Sequence, residues 1–360
     1  MSGDASRVIH EAVGRFLEGD AVGAVAMASM PGVIETPLAQ AALQAFEHSP
    51  PYHPAFGRLS LTRPERDGEL AVDVFGIRLR PDFERQLPAG RLTSGRGSGL
   101  SVPPPHYSDH YRLLDLLMAL EAADRRFVMI EAGAGYGRWL VTAAALIRRH
   151  PGLDIRETRL VGVEPHPTRF QWLLRHFTDN DLDPADHDLI NVAIHVAAEP
   201  VLFRRDASPA LPDDEACNYD QGLAFFEGWR EAARRHREMV VATDGGSHRL
   251  SSVAALPMSS LLDRVDGAVD LLHLDLRGAE LQAVTAALPA LAERVKRLHV
   301  ASINEAGDMD LARQLVAAGF DMIRHRPAAS ISLTAEGVLR TADGIQTWTN
   351  SRFVPSPPAP

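Results

Sequence analysis

Three acidic positions and one cluster of glycines carry the residue types from which a ligand site could be built. In FVMIEAGAGYG, Phe127 to Gly137, four apolar residues lead to Glu131 and then to Gly133, Ala134, Gly135, Tyr136 and Gly137. Glycines let a backbone pass close to a ligand, and the helix that follows would turn free N–H groups toward it. Glu164 ends the next apolar run, where a carboxylate can accept hydrogen bonds from both hydroxyls of a ribose. Asp275 ends a third apolar run, with His273 two positions before it. Asp275 is the first candidate for a general base, and His273 is the deeper, second candidate.

These positions share one feature of the pattern. From 127 to 319 the chain reads strand, helix, strand, helix, strand, a long insert, strand, helix, strand, helix, which predicts a mostly parallel sheet with helices on both faces. Ligands of such sheets lie at the carboxyl ends of the strands. Glu131, Gly133, Gly135, Glu164, Asp275 and Asn304 all fall at such ends. Strands are expected at 127–131, 160–163, 189–193, 269–274, 297–303, 320–325 and 330–333. A hairpin return is expected through 201–203. Helices are expected at 168–177, 279–291 and 308–318, and in the insert at 223–235.

Ahead of that block, the spacing predicts helices over 5–18 and 36–46 and a hairpin or bent strand over 69–81, with Gly76 at the bend. Pro88 to Pro105 reads as a linker. The expected division is an N-terminal α/β accessory region over 1–105, a main domain over 106–345 with a lid-like insert at 206–250, and a disordered tail over 346–360. His106, Tyr107, His110 and Tyr111 open the first helix of the main domain and are placed to cover one end of a ligand. Tyr219 and Gln221, in the insert, could reach an acceptor.

Composition narrows the partners. The 360 residues carry a formal net charge of −10, with 45% hydrophobic and 23% charged residues, as in an ordinary soluble protein. A nucleic-acid partner would need a local basic patch, and Arg148-Arg149 and Arg234-Arg235-His236-Arg237 read instead as solvated helix faces, so none is expected. No run of ~18 apolar residues suggests a membrane span. The single Cys217 fits a reducing compartment, and the expected location is cytoplasmic. A homo-oligomer is compatible with the sequence.

Adenosine suits both a dinucleotide and S-adenosylmethionine. The dinucleotide turn reads G-x-G-x-x-G, whereas this one is G-x-G-x-G behind an acid. Glu131 would bind the amino group of a methionine moiety and repel a pyrophosphate. The segments IEAGAGYGRWL, VGVEPHP, NVAIHVAAEPVLF and VDLLHLDLRGAELQAV resemble the FkbM family of S-adenosylmethionine-dependent methyltransferases over about residues 108–325. Where that family reads Glu-Gly-Ala-Glu, this chain has Arg277-Gly278-Ala279-Glu280.

The resemblance implies a class I methyltransferase fold, Rossmann-like, with a seven-stranded sheet. It also implies O-methylation of a sugar, glycan or natural-product hydroxyl. By motif position, Glu131 and Gly133 to Gly137 would hold the methionine end and Glu164 with Pro165 the ribose. Asn191, Ala193 and Ile194 would lie near the adenine, and Asp275 beside the sulfonium or acceptor; His166, from its place after Glu164-Pro165, could stack near the adenine or be a plain loop histidine. A divalent metal on Asp275, Asn304 and Glu305 is the less favoured addition. The rival readings are an NAD-type oxidoreductase and a non-catalytic methyltransferase-like scaffold.

Overall fold

A computed structural model describes residues 2–17, 21–48, 55, 59, 65–73, 75–80, 83, 107–150, 152–205, 239–241, 247–302, 305–328, 330–334, 337–341 and 344–354. Three helices come first: α1 (Ser2–Leu17), α2 (Ala21–Ala28) and α3 (Pro37–His48). Ile9, Ala12, Ala24, Ala28, Val33, Ala39 and Ala42 form their shared core. A short meander follows, β1 (Glu65–Asp67), β2 (Leu70–Val72) and β3 (Arg78–Leu79). Gly76, at φ 72°, makes its bend as expected.

Helix α4 (Tyr107–Glu121) leads into β4 (Arg126–Ala132), α5 (Arg138–Arg149), β5 (Glu157–Val163), α6 (Pro167–Asp179) and β6 (Asp188–Ile190). The apolar run of β4 is buried on both faces, as a central parallel strand requires. Its neighbour α5 buries Trp139, Leu140 and Ala143 to Leu146 against the sheet and ends on Arg148 and Arg149, cations suited to a helix C-terminus. Arg148 does not simply face water, because it donates to the Asn180 carbonyl.

The chain then makes β7 (Ala193–Ile194), β8 (Val201–Arg205), β9 (Met239–Val241), β10 (Ser247–Val253), β11 (Ala255–Leu256) and the short α7 (Met258–Leu262). The expected strand over 189–193 is two strands, β6 and β7. The expected return through 201–203 is also corrected, since β8 pairs antiparallel with β10, and β7 pairs parallel with β11. The linker over 88–105 and the insert helix over 223–235, with Cys217, Tyr219 and Gln221, lie outside the described residues.

Last come β12 (Leu271–Leu274), α8 (Glu280–Arg294), β13 (Arg297–Ser302), α9 (Glu305–Ala317), β14 (Phe320–Arg326), β15 (Ser330–Thr334), β16 (Gly337–Thr341) and β17 (Gly344–Asn350). The main sheet has seven strands in the order β14-β17-β13-β12-β4-β5-β6. The pairs from β13 through β6 are parallel, and β17 alone runs against both its neighbours. The sheet therefore runs past the expected boundary at 345, and residues 346–350 belong to a strand, not to a tail. Each residue of β17 is buried. Three of its polar side chains find partners: Gln346 donates to the Asp308 carbonyl, Thr347 to Asp115, and Asn350 to the carbonyls of Ala292 and Val295, whereas the buried Thr349 hydroxyl has none among the described residues. Residues 355–360 lie outside the described residues.

Two apolar clusters cover the two faces of this sheet. One joins α4 and α5 to Phe127, Met129 and Phe177, and the other joins α7, α8 and α9 to Val128, Ile130, Leu272 and Trp348. Helices α2 and α3 pack on the β15–β16 hairpin, which also meets α4 and so ties the N-terminal helices to the main domain.

Candidate cofactor site

The turn after β4 is shaped by close approach to its neighbours. Gly133, Gly135 and Gly137 all have positive φ, at 82°, 57° and 74°. A Cβ on Gly133 would lie 2.0 Å from the carbonyl oxygen of Asp275, and one on Gly137 would lie 2.2 Å from Leu173 Cδ1. Glycine is thus needed twice over here, for backbone conformation and for space. The amide of Asp275 donates to the Ala132 carbonyl, so the ends of β4 and β12 are tied directly together.

Four of the turn's amides are already committed within the protein. Gly133 and Ala134 donate to the Val163 carbonyl, and Gly137 donates to that of Ala134. Gly135 donates to Glu164 Oε2 at 2.7 Å. At the start of α5, Glu131 Oε2 accepts from Leu140 N at 3.3 Å, and the Trp139 amide also bonds this carboxylate. The helix N-terminus, where a phosphate would bind, is therefore capped by an acid of the chain itself.

Glu131 is almost fully buried, and burial pushes its carboxyl up to about 8. The Leu140 amide and Arg112 oppose that shift, and the Asp275 carboxylate adds to it. Glu164 is also buried and raised by desolvation, with Arg169 and the amides of His166 and Gly135 opposing. Its Oε1 accepts from His166 N at 2.8 Å, so the carboxylate braces both the glycine turn and the start of α6.

The remaining expected cofactor residues divide by role. His166 is the N-cap of α6, its Nδ1 accepting from Arg169 N, with Pro167 at the first helical position. Pro165 lies between Glu164 and this cap. Asn191 donates to the carbonyls of Glu164 and Pro165 and so fixes that corner. Ala193 and Ile194 are buried core residues of β7.

Asp275 sits between two guanidiniums, Arg112 Nη2 at 3.2 Å and Arg277 Nε at 3.1 Å. Arg112 comes from α4, which is remote in sequence, and no spacing in the chain announces it. Arg277 was visible in the sequence as a departure from the family pattern. It has φ 55°, left-handed for a residue other than glycine. The loop carrying it is held by Glu280, which accepts from Leu276 N and Gly278 N. Burial raises Glu280 to about 7.

His273 lies inside the sheet, 3.7 Å from Glu131 Oε1, with its ring 5.1 Å from that of His299. Among the described residues neither of its ring nitrogens has a hydrogen-bond partner, and burial lowers its basicity well below the ordinary range. It is a neutral core group. Tyr111, expected as a cover for the ligand, is fully buried beneath the guanidiniums of Arg324 and Arg326. His106 lies outside the described residues, and Tyr107 and His110 lie in the first turn of α4.

Among the described residues no group of three or more His, Cys, Asp or Glu is arranged around a common metal position. Asn304 lies outside those residues. Also among them, no helix is long and apolar enough to cross a membrane.

A seven-stranded sheet with one reversed strand next to its edge, and a glycine turn after the interior strand β4, defines the class I methyltransferase fold. No family model matches the chain. A protein named as a methyltransferase from Jannaschia sp. (strain CCS1) is 22% identical over 278 residues, which are 77% of this chain and 90% of that protein. Among solved structures, precorrin-6y C5,15-methyltransferase from Geobacter metallireducens GS-15 overlaps with a TM-score of 0.36 at 9% identity, over 67% of this chain and 87% of that one. Methyltransferase FkbM from Methylobacillus flagellatus KT overlaps with a TM-score of 0.33 at 16% identity, over 62% of this chain and 44% of that one.

Proposed function

We propose that this protein is an S-adenosylmethionine-dependent methyltransferase of FkbM type that methylates a hydroxyl oxygen of a sugar, glycan or natural product. One observation carries the cofactor reading. The amides of Gly133, Ala134, Gly135 and Gly137 are bonded internally, and an acid, Glu131, takes the Trp139 and Leu140 amides at the start of α5. Such a turn suits a ligand that presents a cation or a neutral diol, not one that presents phosphates.

In this reading Glu131 faces the methionine amino group and Glu164 the ribose. The carboxylate of Glu164 retains lone pairs beyond those given to Gly135 and His166, so it can still accept from hydroxyls. When bound, the cofactor supplies an activated methyl group on sulfur. The protein's task is to hold the acceptor oxygen in line with it and to exclude water. Asp275, engaged by Arg112 and Arg277, is assigned an orienting and electrostatic role at the acceptor side, in preference to that of a free base. His273, buried and neutral, is assigned to the core.

The relative from Jannaschia supports methyl transfer as the activity class. The hydroxyl acceptor rests on the resemblance of the 269–284 block to the FkbM family. Incubating the protein with methyl-labelled cofactor and a panel of sugar and natural-product hydroxyl, amine and carbon acceptors tests it. The expected product carries label on oxygen, with one equivalent of S-adenosylhomocysteine released per methyl. Label on nitrogen or carbon alone would overturn the oxygen assignment while leaving the enzyme class intact.

A further inference from the structure

Phe83 belongs to the segment just after β3, yet its side chain is only 3% exposed. Its ring stacks on Tyr136, with centroids 5.3 Å apart and planes at 22°. It also meets Trp172 at 5.5 Å and the edge of His176 at 5.7 Å, both on α6. Tyr136 is the one bulky residue of the glycine turn, set between Gly135 and Gly137.

Backbone bonds hold the glycines on either side of Tyr136, and contacts to its ring and carbonyl add to what holds the middle of the turn. His176 supplies one of them: its Nδ1 donates to the Tyr136 carbonyl at 2.9 Å. Burial lowers His176 to about 4, so the ring is neutral and this tautomer is fixed by the carbonyl it serves. Phe83 supplies the other, from the opposite end of the chain's order. The strand that delivers it is anchored at the end of α6. Arg78 N donates to Asn180 Oδ1 at 2.8 Å, Asn180 Nδ2 returns a bond to the Arg78 carbonyl at 2.9 Å, and Arg80 grips Asp179 through two bonds of 2.7 and 2.8 Å.

We infer that Phe83 is a positioning residue for the cofactor turn, and that the β1–β3 meander and the cofactor site are thermodynamically coupled through the Phe83–Tyr136 stack. The inference rests on the cofactor reading above and gives the region ahead of the main sheet a part in it. Without Phe83 the turn would populate other shapes, and apparent affinity would fall by the fraction still competent to bind. Coupling is reciprocal, so a bound cofactor must also steady the meander.

Hydrogen exchange on the intact chain, with and without S-adenosylhomocysteine, tests this directly. The expected result is slowed exchange in peptides from 131–140 and also in those covering 75–83. Slowing confined to 131–140 would overturn the coupling while leaving the cofactor reading in place. No slowing in any peptide at saturating ligand would overturn the cofactor reading itself. As a second test, Phe83→Ala should raise the Kd for S-adenosylhomocysteine about fivefold or more, raising KM for the cofactor with kcat little changed. A folded Phe83→Ala protein with wild-type Kd would overturn the proposal, and the wild-type exchange pattern decides it even where this variant does not fold.

Discussion

Glu131 is where cofactor chemistry and stability oppose each other. Its carboxyl sits at about 8 in the folded chain because burial disfavours the charge, against an ordinary value of 4.5. A carboxyl raised in this way contributes its full stability below the unfolded value, and that contribution is lost as pH rises toward the folded value. Replacing it with Gln, which does not titrate, should therefore make the protein more stable than wild type near pH 8 and leave it little changed near pH 4. Thermal melts across pH 4 to 8 would show the two curves diverging upward; parallel curves would contradict the assignment. The same variant should bind cofactor more weakly. In the wild type, binding an ammonium beside Glu131 should release protons at pH 7, measurable by calorimetry in buffers of different ionisation enthalpy, and no proton release would count against the pairing. Glu164 differs, because it braces two backbone amides as well as facing the proposed ribose. Glu164→Ala should weaken cofactor binding about tenfold or more and cost about 1–3 kcal/mol of stability by leaving those amides without their acceptor. Unchanged affinity would remove Glu164 from the site.

At the scale of elements, the β4–turn–α5 unit is the part most dependent on single atoms. Gly133→Ala places a Cβ against the Asp275 carbonyl in a left-handed backbone, so it should cost several kcal/mol and separate the strand ends that form the site. Gly32 has nearly the same φ, 81°, but nothing within 4 Å of an added Cβ. Gly32→Ala should cost only about 1 kcal/mol, and equal costs for the two by denaturant unfolding would contradict the steric account. This unit was legible in the sequence because an unbroken apolar run followed by three glycines leaves few other conformations. Glu131, Glu164 and Asp275 were legible for the same reason, since each ends an apolar strand. Arg112 and Phe83 were not, because what makes them matter is their approach across the fold to Asp275 and Tyr136. The backbone duties of His166 and Asn191 were not legible either, since one caps α6 and the other bonds the carbonyls of Glu164 and Pro165. His273 shares the side of β12 that leads toward the site, yet one layer down it faces His299 and Glu131 instead of an acceptor.

For the whole molecule, the informative strand is β17. The proline-rich end, PSPPAP, drew the expected tail back to 346, whereas Gln346, Thr347, Thr349 and Asn350 are each buried. The hydrogen bonds of Gln346, Thr347 and Asn350 reach partners in α4, α8, α9 and β13's approach, none of them near in sequence, so no local pattern could reveal them. Asp115 is one such partner. Burial alone would raise it, but His299, Arg324 and Thr347 hold it below the usual carboxylate range, binding α4 to the reversed strand. Trp348, fully buried, fills the core beneath α8 and α9, and Trp348→Ala should cost about 3–5 kcal/mol. Ending the chain at 343 should leave no cooperative unfolding transition at all, whereas ending it at 354 should leave the transition intact. A cooperative, wild-type-like melt from the shorter chain would contradict the placement of β17 inside the sheet. That strand also matters for function, because its reversal beside β13 is what sets this sheet apart from a dinucleotide-binding one.

The central claim is that the capped glycine turn selects a sulfonium cofactor over a pyrophosphate-bearing one. Isothermal titration of the intact protein with S-adenosylhomocysteine and, separately, with NAD tests it most directly. The account predicts saturable binding of S-adenosylhomocysteine that Glu164→Ala weakens, and no detectable binding of NAD. Tight binding of NAD with none of S-adenosylhomocysteine would contradict it.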